Sequence, residues 1–127
     1  MREVMLFRIN IEVDALDRAA AFYAALLGQA GRPQMGSRCY FSAGQVTLQV
    51  VEVAEPQLAA KALYFATDDI EGVHARAAAL GCLSGEQVHG DPAGEVVVRP
   101  WGERSFYAED PAGNPLCFVD KGTIYAG

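Results

Sequence analysis

Few side chains in this 127-residue chain are equipped for chemistry, and their spacing narrows what that chemistry is. Cys39, Cys82 and Cys117 are an odd number of widely separated cysteines with no C-x-x-C, which argues against a disulfide framework and against a zinc ribbon. They read as reduced, partly buried thiols. Nucleophilic catalysis by Cys117 needs a partner base, and no motif places His74 or His89 beside it. His74, next to Val73 on a helical stretch, is expected to point to solvent. His89 lies in a long connection, residues 85–94, that could lid a cleft, although an unpaired loop histidine is ordinarily exposed. Arg8 shares the polar side of an alternating segment with Asn10 and Glu12, and its guanidinium is a fork suited to carboxylate or phosphate. A structural ion pair would use the same group equally well. Trp101, the only tryptophan, falls at a predicted hairpin tip, either as a stacking surface for a planar ligand or as packing against the other half of the molecule or a second subunit.

Composition removes several classes of function. With 51% hydrophobic residues the chain can bury one core, so disorder is not expected. Ten basic residues against sixteen acidic ones, a formal charge of −6 and no basic cluster leave nothing to neutralise a phosphate backbone. Nucleic acid is therefore not an expected partner. No apolar run approaches the ~20 residues of a membrane span, and the amino terminus has neither a long apolar region nor a small-residue cleavage site. A cytoplasmic protein without membrane contact is expected.

The elements that must position these side chains occur twice. Asp14, Leu16 and Asp17 return as Asp68, Ile70 and Glu71 at one constant offset, and Gly28 returns as Gly81 one position early. Residues 6–13 alternate, with Phe7, Ile9, Ile11 and Val13 on the apolar side, which predicts a strand. Asp14 then fits a helix N-cap with Asp17 three residues on, followed by a stripe of Leu16, Ala19, Ala20, Tyr23, Leu26 and Leu27, and Gly28 ends the helix. Strands are predicted at 39–42 and 46–53 around a turn at Ala43-Gly44. Residues 54–61 form the connection. The pattern restarts with a strand at 62–67, a helix capped by Asp68 or Asp69 with Ile70, Val73, Ala77 and Leu80 inward, and strands at 95–99, 104–109 and 116–120. Asp-Pro-Ala-Gly occurs at both 91–94 and 110–113 as turn chemistry. Each helix should cover the apolar side of a small sheet and leave the opposite faces free to form a cleft between the modules.

Phe22-Tyr23 followed by Leu27-Gly28, the helix start at Asp68-Asp69-Ile70, and Pro100-Trp101-Gly102 followed by Asp110-Pro111-Ala112-Gly113-Asn114 resemble the vicinal oxygen chelate superfamily. That superfamily includes glyoxalase I, bleomycin-resistance proteins, fosfomycin-resistance enzymes and extradiol dioxygenases. The resemblance implies an α+β fold of two tandem βαβββ modules forming a curled mixed sheet around a cleft. Here these would be module one at 1–53 and module two at 62–127, in a single domain spanning 1–127. It also implies where metal-dependent relatives carry His, Gln or Glu ligands, and those places fall on Arg8, Gln49, Ala62 and Cys117. A divalent ion needs three or four lone-pair donors, and a cation, a weak neutral amide, an alanine and one thiol do not supply them.

The expectation is a protein similar to the bleomycin-resistance branch that binds a small organic molecule, anionic or aromatic, with no cofactor and no metal. Arg8, Asn10, Gln49, Tyr64 and Cys117 are expected on the cavity side of their strands, joined by Arg38, Tyr40 and Trp101. Two other functions fit the same resemblance: an enzyme of glyoxalase or dioxygenase type with an altered ligand set, and a non-catalytic interaction module whose cleft is filled by its own side chains. Long sheet edges make a homodimer the expected assembly.

Overall fold

The computed structural model describes residues 3–125 and 127. Module one runs β1 (Arg8–Val13), α1 (Leu16–Leu27), β2 (Arg32–Gln34), β3 (Arg38–Ala43) and β4 (Val46–Glu52). Module two runs β5 (Leu63–Thr67), α2 (Ile70–Ala79), β6 (Gln87–Val88), β7 (Asp91–Pro92), β8 (Val97–Val98), β9 (Arg104–Glu109) and β10 (Pro115–Asp120), followed by a 3-10 turn at Lys121–Thr123. The two four-stranded sheets have matching orders, β1-β4-β3-β2 and β5-β10-β9-β8, with β1 parallel to β4 and β5 parallel to β10. They are not closed into one sheet, and β1 and β5 are each a sheet edge.

Alternation sorts the strands as the sequence predicts. Ile11 and Val13 of β1, Cys39 and Phe41 of β3, and Leu48 and Val50 of β4 are buried beneath α1, which contributes Leu16, Ala19, Phe22, Tyr23 and Leu26. Phe106, Ala108, Leu116 and Phe118 lie beneath Ile70, Val73 and Ala77 of α2, and both sets form one continuous core. Leu80 is the exception to the predicted stripe: it is the C-cap of α2 and is exposed. Phe7 likewise precedes β1 and is exposed with Val4, Met5 and Leu6 rather than packed beneath the helix.

The two helix starts are built differently. Asp69 caps α2, its carboxylate accepting from Gly72 N at 3.1 Å. A Cβ at Gly72 would collide with that carboxylate. At α1 the predicted Asp14 cap is absent. Ala15 holds the N-cap without a side-chain bond, and the Glu52 carboxylate, from the end of β4, accepts from Leu16 N at 2.8 Å instead. An acidic group from the neighbouring strand satisfies the same orphan donor and sits at the positive end of the helix dipole. Gly28 and Gly81 both take left-handed φ, 67° in each case, and end the helices as expected.

Three short strands, β2, β6 and β7, were not predicted. Pro33 sits inside β2, which is tolerated because β2 is an edge strand. The 85–94 connection folds as the short β6–β7 hairpin, with His89 at its tip at φ 51°.

The modules are fastened by the second Asp-Pro-Ala-Gly turn. Asp110 is buried, and its Oδ1 accepts from the backbone N–H of Ala112, Gly113 and Asn114 at 3.0, 2.9 and 2.9 Å. Its Oδ2 accepts from Asn114 Nδ2 at 2.9 Å and from the Tyr23 hydroxyl of α1 at 2.7 Å. Asn114 then donates to the Glu12 carbonyl of β1 at 3.0 Å and accepts from Ala59 N of the connection at 2.9 Å. One turn thus grips the helix, the first strand and the linker. Burial, reinforced by the charge of Asp110, pushes the Tyr23 phenol well above its ordinary range.

Candidate functional site

Strand register sets out the polar face of the module-one sheet as rows of side chains. Arg8 pairs with Thr47 and Ser42; Asn10 with Gln49, Tyr40 and Arg32; Glu12 with Val51, Arg38 and Gln34. Gln49 is buried, donates from Nε2 to Asn10 Oδ1 at 2.8 Å, and keeps Oε1 buried without a partner. Arg38 Nε is also buried and unpartnered. Arg8 departs from expectation. It is exposed, makes no ion pair among the described residues, and lies over the rings of Phe7 and Tyr40 at 5.1 and 5.8 Å. Its charge lies against aromatic faces in contact with water, on a strand at the sheet edge, and is not withdrawn into a cavity.

The polar face of the module-two sheet carries Tyr64, Cys117 and Tyr107 in one row and Ala66, Val119, Ser105 and Val97 in the next. The Tyr64 and Tyr107 hydroxyls are 3.2 Å apart. Burial pushes the Cys117 thiol up to about 11 despite bonds to Ser105 and Tyr107 and the nearby charge of Arg99, so it is a protonated, inert thiol at neutral pH. Arg99 itself, unmarked by the sequence reading, is 2% exposed on this face. The only signal for it was alternation through 95–99, which sets it on the side of Val97.

The histidines and Trp101 lie elsewhere. His74, expected in solvent, is half-buried, with Nε2 2.8 Å from the Gly94 carbonyl and its ring edge-on to Phe106 at 4.9 Å. It ties the connection after β7 onto α2. His89 packs edge-on against Trp101 at 5.4 Å, and Trp101 Nε1 donates to Glu103 Oε1 at 2.7 Å. Trp101 therefore serves its own hairpin, and its neighbours are hairpin residues rather than Gln49 or Cys117. Among the described residues no three His, Cys, Asp or Glu side chains come together as metal ligands.

A cavity of about 620 Å³ opens between the modules on the apolar side of the sheets, opposite to the side predicted. Leu26 and Leu27 of α1, Val73 of α2, and Ile9, Leu48, Leu63, Phe65 and Phe118 of the strands form its walls, with Gln29, Thr67, Arg76 and Lys121 as the polar groups. Gln29 is spent on both backbone groups of Ser42, at 2.8 Å each, and Arg76 Nε donates to the Leu26 carbonyl at 3.1 Å. Of the eight predicted ligand residues, only Tyr64 lines this space. The others stand on the far faces of their sheets or, in the case of Trp101, on a hairpin.

The family model of the glyoxalase-like domain matches residues 8–119. No curated protein matches the sequence. Among solved structures, a glyoxalase/bleomycin resistance protein from Albidiferax ferrireducens T118 superposes with a TM-score of 0.75 at 22% identity, covering 92% of this chain and 98% of that one. Lactoylglutathione lyase from Agrobacterium tumefaciens gives 0.70 at 22% identity with both chains fully covered. Oxidase ChaP-H2 gives 0.72 at 23% identity, covering 99% of this chain and 98% of the other. At these identities the likeness is one of fold.

Proposed function

We propose that this chain, which belongs to the glyoxalase-like domain family of the vicinal oxygen chelate superfamily, binds a small, largely apolar organic molecule in the cavity between its modules and holds no catalytic metal. The observation that carries the reading is the inter-module cavity of about 620 Å³, within the roughly 300–1,000 Å³ of small-molecule sites and walled by leucine, valine and phenylalanine. Its free polar capacity is cationic, from the exposed Arg76 and Lys121. A ligand with an apolar body and one acceptor or anionic end fits that lining.

Donor chemistry supports the absence of a metal. At the four ligand places Arg8 is a cation, Ala62 has no donor, Gln49 offers one neutral amide oxygen, and Cys117 keeps its proton. Register adds that the strand partners of Gln49 and Cys117 are Asn10 and Tyr64, a neutral amide and a phenol. Elemental analysis after dialysis should find less than one equivalent of zinc, nickel, manganese or iron. A stoichiometric ion lost on Gln49→Ala would overturn this part.

The binding part is tested with 2-naphthol, a neutral aromatic probe, followed by NMR of the Leu27, Val73 and Phe118 side chains. Saturable shifts at these residues, abolished by Leu27→Trp in a folded protein, are expected. Shifts that fail to saturate, or that survive the filled cavity, would refute it. Assembly as a homodimer is supported by the exposed run Val4, Met5, Leu6 and Phe7, with Val4 100% exposed, an apolar arm that a second copy would cover.

A further inference from the structure

The inter-module cavity is charged in one sense only. Acidic residues outnumber basic ones in the chain by sixteen to ten, yet among the described residues no acid lines this space, whereas Arg76 and Lys121 both do. The sign of the site is thus the reverse of the molecule's own.

Arg76 is held in place. It leaves the last turn of α2 and crosses to the C-terminal end of α1, where Nε donates to the Leu26 carbonyl at 3.1 Å. Nη2 lies against the bare Cα of Gly28, where a Cβ would stand 3.6 Å from it. Anchoring on the other module removes rotamer freedom that a loose arginine would lose on binding. Nη1 and Nη2 make no hydrogen bond and no ion pair among the described residues, so the outer edge of the fork keeps the paired donors that match a carboxylate. Lys121, at the start of the 3-10 turn after β10, adds a second cation. Its neighbour Asp120 is taken by Arg104 Nη1 and by Gly122 N, each at 3.2 Å. Asp68, just past the end of β5, forms no ion pair with Lys121 and is not part of the lining. Phe65 and Phe118, both in the wall, stack at 5.1 Å with their planes 16° apart, an arrangement to which a flat ring adds by offset stacking.

We infer that the cavity takes an aromatic monocarboxylate, its ring beside Phe65 and its carboxylate on the free edge of Arg76 with Lys121 as the second cation. This charge and shape rest on the cavity's being the small-molecule site. An amine would meet two cations and no acid there, and a second carboxylate at the far end of the ligand would lie among leucine, valine and phenylalanine without a partner. Both cations come from outside the polar faces of the sheets: Arg76 from a helix and Lys121 from the turn that follows the last strand.

The probes are 2-naphthoate and 2-naphthol, which share one ring system and differ in the charged end. Titrated against the full chain, with NMR of Leu27, Val73 and Phe118 as the readout, 2-naphthoate should bind about tenfold more tightly, the low end for a charge-assisted hydrogen bond because both cations are exposed. Raising the salt from about 0.05 to about 0.5 M should weaken 2-naphthoate and spare 2-naphthol. Arg76→Met should bring the two probes to nearly the same affinity, and Lys121→Met should cost 2-naphthoate about threefold. Lys121 makes no hydrogen bond through its side chain among the described residues, so its variant decides the matter should Arg76→Met not fold. Equal affinities in the unaltered chain, or a 2-naphthoate advantage that survives either variant in full, would overturn the carboxylate site and leave the cavity standing as a site for the neutral probe. Failure of both probes to saturate would overturn site and cavity together. Saturation by 2-naphthoate alone, lost in Lys121→Met or Arg76→Met, would uphold the carboxylate site and count only against the neutral probe.

Discussion

Removing the Tyr23 hydroxyl should loosen the whole molecule, because it is the direct bond between α1 and the turn that closes module two. Asp110 Oδ2 accepts two bonds, from Tyr23 and from Asn114 Nδ2, while Oδ1 accepts three backbone bonds. Tyr23→Phe deletes one bond to a charged acceptor in a buried place, a loss of about 1.5–3 kcal/mol. Asp110→Asn is worse. If its oxygen keeps the three backbone donors, its new amide faces Asn114 Nδ2 donor to donor, and about 3–4 kcal/mol should go. Because both changes strike one bond, the double variant should lose less than the sum, with a coupling energy of about 1–2 kcal/mol. Urea unfolding followed by Trp101 fluorescence and by far-ultraviolet circular dichroism measures all four corners of the cycle. Additivity to within about 0.5 kcal/mol, or a Tyr23→Phe cost below that, would show that the turn does not fasten the modules through this bond.

Alkaline stability should carry the mark of Cys117: its thiol rises from an ordinary 9.0 to about 11 on folding, so the contribution is complete below pH 9 and is lost as pH climbs through 11. Cys117→Ala should flatten that limb by about 2–3 kcal/mol in urea unfolding across the range, with the phenols of Tyr23 and Tyr107 accounting for the remainder. On the acid side Glu71 is held below its usual range first by its hydrogen bond from Arg104, so its contribution is present above the unfolded pKa and disappears as pH falls through the lower folded one. Glu71→Gln should shallow the acid limb of a thermal melt against pH and leave the neutral plateau nearly untouched, since the pair is exposed. Light scattering at micromolar concentration should give about twice the 13.6 kDa chain mass, and Met5→Asp with Phe7→Asp should return the monomer.

Alternation made the fold readable. It assigned Ile11, Val13 and Phe118-bearing β10 their faces, left the inward side of β3 open because that segment is short, and the repeated acidic helix start located both helices. What it missed was supplied across space. Glu52 caps α1 from another strand, so Asp14, the local candidate, is superfluous there. A cleft between the modules was expected, but not the side on which the cavity opens, which is lined by residues of α1, α2, β1 and β5 together, a relation between modules rather than within one.

The two arginines show where such reading stops. Both Arg8 and Arg99 stand on polar faces by strand parity, and parity says nothing about depth. Arg8 lies on an edge strand whose next neighbours are water and two aromatic rings, so its charge costs little and is available to anything that passes. Arg99 is covered because residues 93–95 fold back across β9, held there by Tyr107 N on the Ala93 carbonyl, by His74 on the Gly94 carbonyl and by its own Nη2 on the Ala93 and Glu95 carbonyls. The side chain thus helps to build the pocket that buries it. A cation in that position cannot be recognised from spacing, because its cover comes from residues 93–95 and not from its own strand, while Arg8 on an edge strand keeps its charge in solvent.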